Sequence, residues 1–304
     1  MRTVYLGTSD FAVQVLRHLA DSPHKPQLVI TPPDRPKGRG RKLTSPPAAD
    51  AARELGIELL QAKSVNEEEP LAAIAATKPD VICVCQFGQL IKEPLLSDYL
   101  ILNVHTSVLP RWRGAAPVER ALMAGDTETG ITIFQIEAGL DSGPVALAAA
   151  EQIQPDDTAG TLAARLAKLG GTLLIEALDR GDAGSLEFTE QPEEGITYAD
   201  KIEPSERRLE VSHSATEVER VVRALTPHIG AYIAFEDGVR LGVTSACVAD
   251  ESLEQGSVQA SDGRVLVGCA EGALELLEVQ PPGKRPMPVE AFLRGHALPA
   301  RVEH

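Results

Sequence analysis

The sequence predicts an α/β protein: an open, mostly parallel sheet with helices on its faces, followed by a smaller β-rich domain. Three observations predict it. Short apolar runs alternate with helical patterns over the first part of the chain. Several of those runs end in polar or Gly-containing segments, as strands of open sheets do where ligand-binding loops begin. Beyond residue 201 this alternation gives way to short strands separated by Asp-Gly turns. A chain of 304 residues has room for two cores. Its 43% hydrophobic and 24% charged content is ordinary for a globular protein.

Residues 4–7 read as a buried strand, and Gly7-Thr8-Ser9-Asp10 as the turn into a helix ending near residue 20. The second and third glycines of the dinucleotide fingerprint are missing after Gly7, which argues against NAD. A second strand spans 27–31. Residues 32–46 then carry Arg35, Lys37, Arg39, Arg41 and Lys42 among prolines and glycines, a composition that predicts no regular element. Connections in α/β units usually run about 2–6 residues, so an insertion of this length is either functional or a solvated loop. A helix over 46–55, a short strand and a helix over 66–77 follow. Residues 80–85 form a buried strand with Cys83 and Cys85 on one face, and Gln86-Phe87-Gly88-Gln89-Leu90 turns away from its end. Four cysteines in a chain of this size do not make a disulfide framework, and core packing accounts for this pair better than metal or redox chemistry.

The most informative stretch comes next. An apolar strand over 99–102 leads into Asn103-Val104-His105, and strand alternation puts Asn103 and His105 on one face. Asn is a neutral donor suited to a developing oxyanion, and His is the usual proton carrier near neutral pH. Asp141 follows another strand-like run, over 130–136. Taken singly, each has an ordinary structural reading: a strand-end His, a turn-forming Asn, a capping Asp. Taken together, with no nucleophile adjacent, they point to acyl or formyl transfer without a covalent enzyme intermediate.

A helix over 115–124 admits Pro117 in its first turn. Strands over 131–136 and 145–153 follow. Asp156-Asp157-Thr158 supplies N-cap chemistry for a helix whose Leu162, Leu166, Leu169 and Leu173 repeat at helical spacing and belong to the core. Periodicity fades over 181–201, and the expected division is 1–188, a linker at 189–204, and 205–304. The last part holds a helix over 215–225 and strands over 231–235, 239–243, 265–267 and 274–279.

Asn103-Val104-His105, Ser107-Val108-Leu109-Pro110, Arg113-Gly114-Ala115-Ala116-Pro117, Thr129-Gly130-Ile131-Thr132 and Leu140-Asp141-Ser142-Gly143 resemble, in order and spacing, the 10-formyltetrahydrofolate-dependent formyltransferases. The resemblance covers nearly the whole chain. It implies a Rossmann-like catalytic domain and a small OB-like β-barrel, and formyl transfer from 10-formyltetrahydrofolate, a co-substrate, to the α-amino group of initiator methionyl-tRNA. It implies that Asn103, His105 and Asp141 are catalytic. It implies that Phe87, Gly88, Gln89 and Leu90, with Ser107, Val108, Leu109 and Pro110, border the folate. In tRNA-acting members a loop like 32–46 meets the acceptor end, so Arg35, Lys37, Arg39, Arg41 and Lys42 would contact tRNA. Lys284 and Arg285, in Pro282-Gly283-Lys284-Arg285-Pro286-Met287, could meet phosphate or form a plain charged turn. The chain departs from the family at Ser9, where Pro is usual, at Gln86, where Ala is usual, and at Pro227-His228-Ile229-Gly230, where Pro-Trp-Pro-Gly is usual.

Three rival readings follow. A related hydrolase that releases formate from the same folate would find a tRNA-reading loop superfluous. A formyltransferase acting on a small amine, a glycinamide nucleotide or an amino sugar, would keep the three polar residues without needing the basic insertion. A non-catalytic RNA-binding protein would keep the insertion without needing the triad. A net charge of −15 and a pI near 4.9 exclude a generally basic nucleic-acid binder, so contacts with tRNA would be confined to local patches. The first residues show no signal-peptide pattern and no run is apolar enough to span a membrane, so a cytoplasmic protein is expected. A monomer without a metal is also expected.

Overall fold

The computed structural model describes residues 1–37, 40 and 42–303, without the Lys37 side chain. The chain divides into two units. The first comprises Met1–Gly114, Glu128–Gln152 and Ala163–Tyr198; the second comprises Ala115–Thr127, Ile153–Leu162 and the chain from Ala199 onward.

In the first unit, β1 (Thr3–Gly7) is buried along its whole length, as a strand covered on both faces must be. Ser9 caps α1 (Asp10–Ala20) by accepting a hydrogen bond from the Ala12 amide at 3.2 Å. Next come β2 (Leu28–Thr31), the short strands β3 (Arg35–Lys37) and β4 (Lys42–Thr44), α2 (Pro47–Glu54) and β5 (Glu58–Gln61). They are followed by α3 (Glu68–Thr77), β6 (Val81–Cys85), α4 (Leu95–Asp98) and β7 (Ile101–His105). Then come β8 (Arg113–Gly114), β9 (Glu128–Gln135), β10 (Val145–Gln152), the long helix α6 (Ala159–Asp182), which belongs to this unit from Ala163 onward, and the two-residue strand β11 (Tyr198–Ala199), at which this unit ends. The main sheet has the order β10-β9-β7-β6-β1-β2-β5. Its strands from β5 to β7 are parallel, while β9 runs against β7 and β10 against β9.

The core of this unit is built from alternate strand residues, among them Val4, Leu6, Leu28, Ile30, Ile82 and Ile101, with Ile74 of α3. Each such side chain contributes roughly 1.5–3 kcal/mol on leaving water. Cys83 and Cys85 are part of this interior, and burial pushes both thiols up to about 12, so they act as packing groups. Because β1 lies between β2 and β6, the sheet winds in opposite senses on its two sides. At that switch point Thr8 Oγ1 donates to the Phe87 carbonyl at 2.9 Å, joining the loops that leave β1 and β6.

The basic insertion corrects one expectation. Instead of an irregular loop, β3 and β4 pair as an antiparallel ribbon, Arg35 opposite Thr44 and Pro36 opposite Leu43. A two-stranded ribbon leaves each strand a free edge, where the missing proline donor does no harm. Arg39 and Arg41 lie outside the described residues.

In the second unit, α5 (Pro117–Ala124) packs on α7 (Ala215–Leu225). The start of α7 is a reciprocal capping box between Ser214 and Glu217. The sheet comprises β12 (Ala231–Ala234), β13 (Arg240–Ala249), β14 (Val258–Ser261), β15 (Arg264–Gly268), β16 (Ala273–Gln280) and β17 (Met287–Pro288), before α8 (Val289–Leu293). Its order is β12-β13-β16-β15-β14, all antiparallel, with β17 on β16. Asp262 and Gly263 both have positive φ, 52° and 79°, as the two-residue turn between β14 and β15 requires. No continuous ladder closes this sheet into a barrel among the described residues. Isolated bridges, Phe235–Val302 and Ser257–Arg301, instead tie the last residues to both edges. No helix among the described residues is long and apolar enough to cross a membrane.

Gly130 shows how closely β9 is packed: a Cβ there would lie 2.2 Å from the Ala149 carbonyl oxygen and 2.7 Å from Val108 Cγ2. Gly130→Ala is expected to destabilise the protein by about 1–3 kcal/mol. Denaturant unfolding checks this; an unchanged midpoint would mean that β10 gives way freely.

Candidate active site

β7 is the last strand of the parallel set, and its carboxyl end carries Asn103 and His105 on one face. The strand extends through His105, farther than the apolar pattern alone predicts, because Asn103 pairs with Val84 and Phe134, and His105 with Thr132. His105 is only 5% exposed. Its Nε2 lies 2.8 Å from the Trp112 carbonyl oxygen. A carbonyl only accepts, so Nε2 carries a proton, and in the neutral ring Nδ1 holds the lone pair. Nδ1 faces Asp141 Oδ2 at 3.7 Å, beyond hydrogen-bond length. The Phe134 and His105 rings form a T-shaped contact, with planes at 83° and centroids 6.2 Å apart. Burial pushes His105 below the usual imidazole range; the Asp141 charge and the Trp112 carbonyl oppose this without overcoming it. The side chain is therefore neutral at pH 7. Asn103 is half-buried, and its amide makes no hydrogen bond among the described residues.

The segment after β7 is fixed at several points. Thr132 Oγ1 accepts from the Leu109 amide at 3.1 Å and donates to the Ser107 carbonyl at 2.7 Å. The Ser107 hydroxyl donates to the Arg111 carbonyl at 2.6 Å. Trp112 has φ +62°, a left-handed conformation unfavourable for a large side chain. Thr197 holds it there: its hydroxyl accepts from the Trp112 amide and its carbonyl from the Arg113 amide, both at 2.9 Å. This conformation presents the Trp112 carbonyl to His105. Asp141 is also left-handed, at φ +45°, and its Oδ2 accepts from the Gly114 amide at 2.8 Å. Gln191 donates to the carbonyls of Asp141 and Gly143, at 2.8 Å each, and accepts from Arg113 Nε and Nη2.

Comparison with known proteins identifies the family. The formyl transferase family's sequence model matches residues 1–178, and that of the formyl transferase C-terminal domain matches residues 201–297. The chain belongs to the formyl transferase family. Methionyl-tRNA formyltransferase from Methylococcus capsulatus is 44% identical over 302 residues, covering 98% of this chain and 98% of that protein. Among solved structures, WlaRD, a sugar 3N-formyl transferase in the presence of dTDP and 5-N-formyl-THF, superposes with a TM-score of 0.68 at 17% identity, covering 94% of this chain and 99% of WlaRD. HypX from Aquifex aeolicus, in complex with tetrahydrofolic acid, gives 0.66 at 19% identity, covering 96% of this chain and 47% of HypX. This chain thus spans about half the length of HypX. Both likenesses concern the fold.

Within this formyl transferase the structure brings Asp141 to 3.7 Å from His105, and Asn103 shares the strand face of His105. Phe87 is buried, Gly88 has φ +74° and Leu90 is 70% exposed beside them in sequence. Gln89 differs: its amide donates to the Ala62 carbonyl and accepts from the Val65 amide, so both ends are engaged within the fold. Val108 and Pro110 are half-buried and Leu109 is buried. Arg35 and Lys42 are exposed on the ribbon, and Lys284 and Arg285 are exposed in the turn between β16 and β17; none forms an ion pair among the described residues. No group of three or more His, Cys, Asp or Glu among the described residues could hold a metal ion. Sequence reasoning missed Gln191, Thr197, Thr132 and the buried side chain of Arg113. Gln191 and Thr197 lie where periodicity fades, and a polar side chain aimed at backbone groups leaves no pattern in the sequence.

Proposed function

We propose that this chain transfers the formyl group of 10-formyltetrahydrofolate to the α-amino group of initiator methionyl-tRNA. The observation that carries this reading is the unengaged Asn103 amide beside a neutral His105 whose Nδ1 faces Asp141. Full-length similarity to a methionyl-tRNA formyltransferase and the exposed cations of the β3–β4 ribbon support the tRNA acceptor over a small amine.

A folate donor fits the residues present. Phe87, Gly88 and Leu90 with Ser107, Val108, Leu109 and Pro110 would border it, and Gln89 would contribute by shaping the turn. In this reading the Asn103 amide donates to the formyl oxygen as negative charge develops there. His105 Nδ1 accepts the proton released by the attacking amine, whose unbound pKa of roughly 7.7–8.0 leaves a neutral fraction at pH 7. The resulting imidazolium is stabilised by Asp141, and the proton passes to the departing N10. Residues 1–188 carry this chemistry, 205–304 help bind tRNA, and 189–204 join them while supplying Gln191 and Thr197 to the site. Arg35, Lys37, Arg39, Arg41 and Lys42, with Lys284 and Arg285, contact the tRNA. The rest of an acidic surface discourages non-specific binding. We assign the protein to the cytoplasm as a monomer.

Formyl transfer to methionine-charged tRNA tests the reading. Asn103→Ala is expected to lower kcat by roughly 10²–10³ with the fold intact, the loss typical of one oxyanion donor; near-normal turnover would remove Asn103 from the mechanism. Asp141→Asn removes the charge that holds the His105 pKa up. Both the fall in kcat and a shift of its acid limb to lower pH are therefore expected, and a limb that stays put would uncouple the two residues. On the ribbon, replacing Arg35 and Lys42 by Ala should raise KM for tRNA, leave KM for the folate unchanged and flatten the salt dependence. An unchanged KM for tRNA would remove the ribbon from tRNA binding.

A further inference from the structure

Gln191 lies outside any regular element, yet its amide is fully used. Its Oε1 accepts from Arg113 Nε at 3.1 Å and Nη2 at 2.7 Å. Its Nε2 donates to the Asp141 and Gly143 carbonyls. The orientation is unambiguous, because a guanidinium can only donate and a carbonyl can only accept. Arg113 is 8% exposed and makes no ion pair among the described residues, so its charge is directed onto a neutral amide oxygen. A charge-assisted fork of this kind fixes the Gln191 plane more firmly than a neutral bond would.

The residue so clamped is Asp141, which is held in a left-handed conformation that an L residue rarely adopts. On one side the Gly114 amide fixes its carboxylate; on the other Gln191 fixes its backbone on both sides of Ser142. A Cβ on Gly143 would lie 1.9 Å from the Gln135 carbonyl oxygen, so the loop also presses against the end of β9. Freed of Gln191, the segment can relax toward an ordinary conformation and carry the carboxylate away from His105.

We propose that Gln191 is a positioning residue for formyl transfer: by tying the Asp141–Gly143 backbone to the buried Arg113, it keeps the Asp141 carboxylate aimed at His105 Nδ1. This rests on the reading of Asp141 as the partner of His105. The charged group facing His105 is Asp141. The segment after β7 presents the Trp112 carbonyl, and β9 presents the Phe134 ring.

Two nearly isosteric variants test it. Gln191→Glu keeps acceptors for Arg113 but turns an oxygen toward two carbonyl oxygens; Gln191→Met loses both sets of bonds. For Gln191→Glu, whose pairing with Arg113 preserves the fold, the thermal midpoint should stay near that of the parent. Its kcat should fall by roughly 10–100-fold, the scale of a misplacement of about 1 Å. KM for the folate and for tRNA should hold, and the acid limb of kcat should move to lower pH as in Asp141→Asn. Gln191→Met should show the same kinetic changes with a lower midpoint. A purely structural role would lower the midpoint in both variants and leave the acid limb in place. Parent kcat and acid limb in Gln191→Glu, when Asp141→Asn shifts both, would overturn the inference. An inert Asp141→Asn would instead overturn the reading on which it rests.

Discussion

One hydrogen bond, from His105 Nε2 to the Trp112 carbonyl, determines what the site can do. It assigns the proton to Nε2 and leaves the Nδ1 lone pair facing Asp141. Burial pushes the ring below the usual imidazole range and so favours its neutral form, the form the proposed proton transfer requires. The bond exists because Trp112 is held in an unfavourable backbone conformation by Thr197, and because Thr132 ties down the segment between. Backbone strain of this kind persists only where the surroundings over-determine it, which is common at functional sites.

The sheet supplies the platform. β7 sits where parallel strands give way to the antiparallel pair β9 and β10, so its end is approached by the segments after β7 and after β9. Asn103 and His105 come from the rigid strand, while Asp141 comes from a loop that needs its own clamps. Placing two of the three groups on a strand leaves the third as the adjustable element, and the 3.7 Å gap between His105 and Asp141 is where adjustment would show.

Much of this was legible in the sequence. The buried strands announce themselves as unbroken apolar runs, Asn103 and His105 stand out as polar residues at a strand end, and Asp141 stands in the loop that follows another strand. The β3–β4 ribbon was not legible, because Pro36 and the glycines argue against a strand wherever an amide must be donated inward, and a two-stranded ribbon relaxes that demand. β14 is not legible because it is four residues long and mostly exposed, too short for its alternation to stand out, and β13 runs to ten residues where the apolar pattern marks only its start. Gln191 and Thr197 were invisible for a different reason. Their partners are groups distant in sequence, backbone amides and carbonyls and the Arg113 guanidinium, and no periodicity records such bonds. The second unit illustrates the same limit: turn signals such as Asp262-Gly263 identify an antiparallel sheet, whereas the bridges from Arg301 and Val302 to its edges depend on tertiary packing.

The most direct test of this picture is the protonation state of His105 in the free protein, read by nitrogen NMR of labelled histidine across neutral pH. A neutral ring protonated at Nε2, titrating below the ordinary imidazole value, is the expected result. A ring that is charged at pH 7, or neutral with its proton on Nδ1, would contradict the assignment of Nδ1 as the proton acceptor and the mechanism built on it.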